Sequence, residues 1–437
     1  MTANAGYHAY ATGDVLTAAQ VQYNLQNQTV MYFATTTARD AALTGAILVE
    51  GMVSYTPATG VMYYNGTAWT AVGSSSSPLT TKGDLYTYST TNARLPVGSD
   101  GQTLVANSSQ TTGLAYTNNF AAGKNKIING DFGIWQRGTS FTPTIGASTY
   151  VSDRWFYSWG GTSGTATVSQ QAFTPGTAPV AGYEGSYFIR GNIASGVGIS
   201  SNNFTQRIED VRTLAGQTAT YSFWAKADSA RTITVYLDQY FGSGGSAAAN
   251  GLYPQTFNIT TSWARYSYSG TMASIAGKTI GTSSYVQLQL TGPTATSTMD
   301  YWGVQVEAGS VATAFQTATG TFQGELAACQ RYYYRQTADG DLYQNFGFGM
   351  VTNTTTLARI QISNPVTMRA RPTSIDFATL RTADYGSGYA VSAVIFGETG
   401  IYSNWLTVTM AAGTAYRPVA LSANNSNTAY IGVSAEL

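Results

Sequence analysis

In the stretch "TITVYLDQY", Ile233, Val235 and Leu237 alternate with Thr234, Tyr236 and Asp238. Period two sends successive side chains to opposite faces of a strand, so one face is buried and the other wetted or paired. Runs of the same length recur in "TATVSQQAF", "YFIRG", "TATYSFWAKA", "RYSYSGTM", "YVQLQL" and "MDYWGVQVEAG". They predict a jelly-roll β-sandwich over residues 121–316. The period lengthens in "TFQGELAACQRYYYR", where Leu326, Cys329, Gln330 and Tyr333 share a helical face, so a connector helix is expected within residues 317–335. Strand-length runs return in "LARIQIS", "SAVIFGE", "WLTVTM" and "AYIGVSAEL", and residues 336–437 are expected as a second, smaller β-sandwich.

Ahead of the sandwich, residues 1–73 read as a small α+β module. "LTAAQVQYNLQNQ" predicts a short helix, with Thr17 and Gln20 at capping-box spacing and Val21 and Leu25 on one face. "TTARDAAL" repeats the start signal, with Thr37 three before Asp40. "GMVSYTPATGVMYYNGTAWTAV" predicts three strands joined by a Pro-containing turn and an "NG" hairpin. A flexible joint, "GSSSSP" at Gly73 to Pro78, leads into residues 74–120, which continue as a neck too short and polar to bury its own core.

Composition supports the strand reading. Charged residues are only 10% of the 437, against roughly 25% in ordinary soluble proteins, and Thr, Ser, Asn, Gln, 47 Gly and 31 Tyr take their place. β-branched and aromatic residues favour the pleated strand, while Gly and Asn supply turns. The 21 Lys plus Arg balance the 21 Asp plus Glu, and no basic run exists. Nucleic-acid binding, which needs clustered cations to displace counterions, is therefore not expected. A neutral, charge-poor surface instead favours burial in an assembly. The start "MTANAGYHAYATGDV" lacks a basic, apolar leader, so no signal peptide is expected, and no run reaches the length of a membrane span.

Catalytic raw material is thin. His8 is the single histidine and is expected at the surface, and Cys329, the single cysteine, has no disulfide partner. The loop "GSGG" lacks the features of a phosphate cradle. Carboxylates such as Glu209, Asp210, Asp228, Asp238 and Glu307 remain. A glycosidase needs two of them roughly 5 to 9.5 Å apart, and adjacent Glu209 and Asp210 would point to opposite faces of a strand. Aromatics give the better hook, because a sugar's flat C–H face stacks on an exposed ring while amides and carboxylates bind its hydroxyls. "FYSWGG", "LDQYFGSGG" and "NGLYP" set Trp159, Tyr240 and Tyr253 beside glycine-rich loops, as candidate glycan-binding residues. Trp155, Trp224 and Trp302 lie inside strand patterns and are expected in the core.

"NKIINGDFGIWQRGTSF" followed by "YVSDRWFYSW", and "MDYWGVQVEAGSVATAFQ" followed by "ELAACQRYYYR", stand in order at the two ends of the predicted sandwich. Together they resemble the borders of the carbohydrate-binding-like jelly roll of bacteriophage tail fibre, or receptor-binding, proteins. The opening module resembles virion-attachment modules, and "TKGDLYTYSTTNARLPVGSDGQTLVANSS" resembles a neck repeat of such fibres. The last hundred residues resemble nothing identifiable.

This resemblance implies a non-enzymatic homotrimer, made in the host cytoplasm and mounted on the virion beside other tail or baseplate proteins. It would bind a host cell-surface polysaccharide by stacking, with little salt dependence. The alternatives are a glycan depolymerase and a structural fibre or spacer without a receptor. Related jelly rolls hold calcium near an "NGDFE"-like strand. Here Gly133 replaces that carboxylate, leaving Asp131 and Asp300 as candidate ligands. "INGDFGIWQRG" is expected as the first strand, with Phe132, Ile134 and Trp135 buried at a sheet edge. Asp153 and Arg154 are placed to pair with Arg137 or its neighbours.

Overall fold

The structure is a computed structural model, and it describes residues 12–13, 15, 17–21, 30–44, 48–72, 77–118, 121–180, 183–384 and 386–437. The chain is mainly β and divides into two compact units. One comprises Met1–Ser99 with Leu104–Tyr116, the other Asp100–Thr103 with Thr117–Leu437.

In the first unit, strands Val53–Thr56, Gly60–Tyr64 and Trp69–Ala71 form the expected meander, and Met31–Tyr32 adds to it in parallel. Asn65 fixes the "NG" turn, its side-chain oxygen accepting from the backbone N–H groups of Thr67 and Ala68. Helix Thr36–Ala42 is capped by Thr35, whose hydroxyl accepts from Ala38 N at 3.1 Å. The start signal therefore sits two residues before the expected Thr37, which lies inside the helix. Buried Arg39 lays its guanidinium 4.6 Å from the Trp69 ring centre and ties helix to sheet. Of the amino-terminal helix only Ala18–Val21 is described, and His8 and Leu25 lie outside the described residues. In the neck, Thr87 is the sole buried residue among described positions 77–118, where Leu85–Tyr88 pairs with Asn92–Leu95. Asp84 locks that hairpin by accepting from Arg94 at 2.6 Å and from Thr80 and Thr81 N–H.

The second unit opens with a two-layer sandwich. One sheet runs Ser148–Tyr150, Trp155–Gly160, Ser201–Glu209, Tyr285–Thr291, Arg231–Tyr240, Ala249–Ile259. The other runs Ala264–Thr271, Thr218–Ala227, Ser297–Ala308, Tyr187–Val197, Ser163–Ala172, Ser140–Phe141. The chain crosses between them as a jelly roll does. Ile233, Val235 and Leu237 face the shared core, as their alternation requires. Trp155 lies in this core. Trp224 and Trp302 are buried in a separate cluster with Phe173, Phe188 and Phe315.

The stretch around Asn129 is not the strand that its sequence suggests. Asn129 and Phe132 both adopt left-handed backbone, φ 56° and 55°, which no ladder accommodates. Asn129 instead anchors a buried turn. Its amide donates to Ile134 O, Ser152 Oγ and Asp153 O, and its Oδ1 accepts from Ile134 N. Phe132 and Ile134 are buried as expected, and Trp135 is half-buried. Asp153 lies 4.0 Å from Arg137 and accepts from Gln136 N and Nε2.

Helix Phe322–Gln330 follows the sandwich, capped by Thr321. It ends before Tyr333, which begins strand Tyr333–Thr337, so the expected four-residue helical face is cut short. The distal strands take a different closure from the expected sandwich. Six of them (Asn345–Val351, Leu357–Ser363, Ser403–Met410, Ser387–Thr399, Leu380–Asp384, Pro418–Ala423) close into a barrel. Tyr333–Thr337, Tyr430–Ser434 and Ser374–Ala378 form a separate three-stranded sheet. Register shifts at Asn345/Gly347, Val391/Ala393 and Phe396/Glu398 bend the strands enough to close the ring. Gly349 permits the tight wall, since a Cβ there would lie 1.7 Å from Arg359 O.

Candidate functional site

Three adjacent strands of the first sandwich sheet, Ser201–Glu209, Tyr285–Thr291 and Arg231–Tyr240, turn a polar face away from the core. Their register stacks that face in rows: Asn203, Thr291, Thr234; Thr205, Gln289, Tyr236; Arg207, Gln287, Asp238; Glu209, Tyr285, Tyr240. The same alternation that buries Val286, Leu288 and Leu290 sends these side chains outward.

The Tyr240 and Tyr285 rings stack at 4.8 Å between centroids with 18° between planes. Side-chain amides run in a chain beside them. Gln287 Nε2 donates to Gln289 Oε1 at 3.3 Å, and Gln289 Nε2 donates to Thr291 Oγ1 at 3.0 Å. Arg207 borders the stack, with its guanidinium carbon 4.7 Å from the Tyr285 ring centre and 5.0 Å from that of Phe156. Asp238 completes the row. Its Oδ1 is buried without a hydrogen-bond partner, and burial raises its pKa from 3.8 to about 6. Burial, followed by the neighbouring Asp238 charge, also raises the Tyr240 pKa.

A recess of about 440 Å³ opens at the stack, walled by Phe241, Gly242, Ser243, Thr282 and Ser283. Gly242 is required there: φ is 78°, and a Cβ would lie 2.2 Å from Thr282 O. A second recess of about 510 Å³ is lined by Lys126, Arg207, Glu209 and Tyr332. Glu209 within it is already engaged by Arg331 and the Tyr332 hydroxyl, each at 3.0 Å.

Of the three predicted sugar-stacking residues, Tyr240 stands in this site. Trp159 does not: it is 1% exposed and its Nε1 donates to Pro143 O at 2.9 Å. Its ring shares the inward parity of Trp155 and Tyr157 on strand Trp155–Gly160, so it has no face for a ligand. Tyr253 is 78% exposed, on the edge strand Ala249–Ile259 where the register shifts, and no ring contact joins it to the Tyr240 stack. Tyr285, Gln287, Gln289 and Asp238 together were not predicted as a site. Their signal is the outward parity of "YVQLQL" against that of "TITVYLDQY".

The calcium candidates stand apart. Asp300 is buried and holds Arg190 through both oxygens, at 2.7 and 2.8 Å, with Lys226 at 3.6 Å. Two cations occupy the oxygens a metal would need, which corrects the expectation for Asp300. Asp131 lies 3.5 Å from the Tyr183 hydroxyl, its pKa raised to about 6 by burial and by Glu325. Among the described residues no group of three His, Cys, Asp or Glu could hold a metal ion. The other carboxylates are dispersed: Asp210 pairs with Arg212, Asp228 with Arg231, and Glu307 holds Thr313 and Gln305. No described helix is long and apolar enough to cross a membrane.

No family model matches the chain, and no curated protein matches it. Solved structures share part of its fold. The chain is similar to the enzymatically active domain of tailspike protein 4 of bacteriophage CBA120, at 17% identity and TM-score 0.28, over 42% of this chain and 21% of that one. It is similar to a carbohydrate-binding module, CBM4, at 22% identity and TM-score 0.22, over 33% of this chain and 87% of that one. The CBM22-1 xylan-binding domain from Paenibacillus barcinonensis Xyn10C matches at 10% identity and TM-score 0.26, over 44% and 100%. The chain thus spans about a fifth of the length of the tailspike domain. At these scores the likeness carries no conclusion about the site.

Proposed function

We propose that the chain is a bacteriophage fibre protein that binds a host cell-surface glycan on the outer face of its sandwich. The observation that carries this reading is the Tyr240–Tyr285 stack beside a carboxylate with an unpartnered oxygen and a chain of side-chain amides. With Tyr285 held between Tyr240 and Arg207, the outer face of the Tyr240 ring is the flat apolar platform for the C–H face of a sugar. Asp238, half-buried, offers a carboxylate to hydroxyls along its edge, and buried Gln287 holds the row in order through Gln289 and Arg207. Such contacts are individually weak, and a trimer would multiply them through effective concentration. Mounting on the virion through residues 1–73 rests on the sequence resemblance of that module.

Calorimetric titration of the full chain with host polysaccharide tests the reading. Asp238→Asn should weaken binding at least about tenfold, since a hydrogen bond to a charged group contributes roughly 1.5–3 kcal/mol, and Tyr285→Ala should weaken it by removing the ring that holds the Tyr240 platform. Equal affinity in wild type and both variants would refute it. Release of reducing ends from the polysaccharide would replace it with the depolymerase reading. Light scattering gives the oligomer mass in the same samples.

A further inference from the structure

The outer wall of the distal barrel carries a third recess, of about 590 Å³. Strand register sets Phe348, Gln361, Trp405 and Glu398 side by side across four strands, and Arg359 stands in the next row. Trp405 is 37% exposed because it alternates with Leu406 and Val408, which are fully buried on the inner face of the strand. Arg359 Nη2 donates to Glu398 Oε1 at 3.1 Å, bridging over the strand that carries Trp405. The guanidinium carbon lies 5.7 Å from the Trp405 ring centre, at the outer limit of a cation–π contact. The pair is exposed, with side-chain accessibilities of 45% and 71%, and leaves Arg359 Nη1 and Glu398 Oε2 for a ligand. Tyr416, 67% exposed and held at φ 62°, lines the recess together with Asn353.

Two chemistries could cover such a place. Protein interfaces are depleted of charge at their centres, whereas here an ion pair lines the recess. The recess is also concave and of small-ligand size. A half-exposed indole beside a guanidinium and a carboxylate matches one ligand class. That ligand has a flat apolar face edged by neighbouring hydroxyls, which accept from the arginine and donate to the glutamate.

We propose that this recess is a second carbohydrate site, one that takes a pyranose ring on Trp405 with adjacent hydroxyls on Arg359 and Glu398. It shares no residue with the sandwich face, so either site can fail without the other. The test uses the full chain carrying 5-fluorotryptophan, with the Trp405 signal assigned from Trp405→Phe. The probes are the methyl pyranosides of glucose, galactose and mannose, and N-acetylglucosamine, each titrated through the millimolar range. At least one should shift the Trp405 resonance saturably. Glu398→Gln and Arg359→Met should weaken that response at least about tenfold, the loss expected for a charged hydrogen bond. Tyr285→Ala should leave it unchanged.

Three results would overturn the proposal. The first is that none of the four sugars moves the resonance. The second is that Tyr285→Ala abolishes the response, which would place all binding on the sandwich. The third is a solution mass that falls in Trp405→Ala, which would make the recess a contact between copies of the chain.

Discussion

Arg154 and Glu436, 282 residues apart in the chain, form an ion pair in which both side chains are buried. Arg154 also donates to Arg207 O at 2.6 Å and lays its guanidinium 3.5 Å from the Tyr332 ring centre. Removing one partner of such a pair strands the other charge away from water. Glu436→Ala should therefore cost about 3 kcal/mol, whereas the paired change Arg154→Met with Glu436→Leu should cost less than either single change. Urea unfolding of the three variants checks this. A loss below about 0.5 kcal/mol for Glu436→Ala would mean that the pair is open to solvent.

Asn129 makes the turn after Ile127 possible. Its side chain serves four buried groups at once. Asn129→Ala should destabilise the second unit by about 2 kcal/mol, because the buried Ile134 N–H loses its acceptor, while the Ile134 carbonyl keeps Ser152 Oγ and Asp153 N–H. Asn129→Gly would suit the left-handed backbone but should recover only a small part of the loss. Thermal unfolding distinguishes the two.

Trp159 and Tyr285 separate stability from binding. Trp159→Ala should cost about 3–5 kcal/mol as a core truncation, while Trp159→Phe should leave glycan affinity unchanged. Tyr285→Ala should do the reverse: about 1 kcal/mol of stability, from the lost ring contact, and most of the affinity. Paired unfolding and titration curves decide.

Burial raises the carboxyl pKa of Asp131, Asp153 and Asp238 to about 6 from an ordinary 3.8. The charged form is the disfavoured one when folded. The stability these groups contribute is therefore complete below about pH 3.8 and is lost as pH rises through about 6. Asp238→Asn removes one of the three, so its stability should fall less steeply than wild type across that window. Glycan affinity should move the opposite way in wild type, rising as Asp238 ionises, and stay flat in the variant. Parallel pH series of unfolding and titration would expose a wrong sign in either.

Cys329 is fully buried, and burial holds its thiol well above the ordinary range. It should resist a disulfide reagent in the folded chain and react at once in urea. Rapid modification without denaturant would contradict its placement.

Much of the framework was legible in the residues. Period-two alternation places Ile233, Val235 and Leu237 correctly because burial on one face is a local property of a strand. Trp159 misled because the glycines after it resemble a loop, whereas its parity with Trp155 and Tyr157 already pointed inward. The site itself was legible only in part. Tyr240 and Tyr285 are 45 positions apart and meet through strand pairing, which alternation cannot supply. The turn at Asn129 was legible in part: Asn129-Gly130 is the same turn signal as the "NG" of the first module, whereas the hydrogen bonds that anchor it reach Ser152 and Asp153, beyond any local pattern. Barrel closure depends on register shifts between distant strands, and those leave no mark in a pattern of apolar positions.

The ring formed by the six distal strands leaves none of them with an unpaired border. Backbone bonding in that ring is satisfied from within, so outward positions such as Phe348, Arg359 and Trp405 answer to no structural demand except solubility. Substitution there can proceed without unravelling the scaffold. A framework closed in this way can exchange its outward side chains and keep its shape.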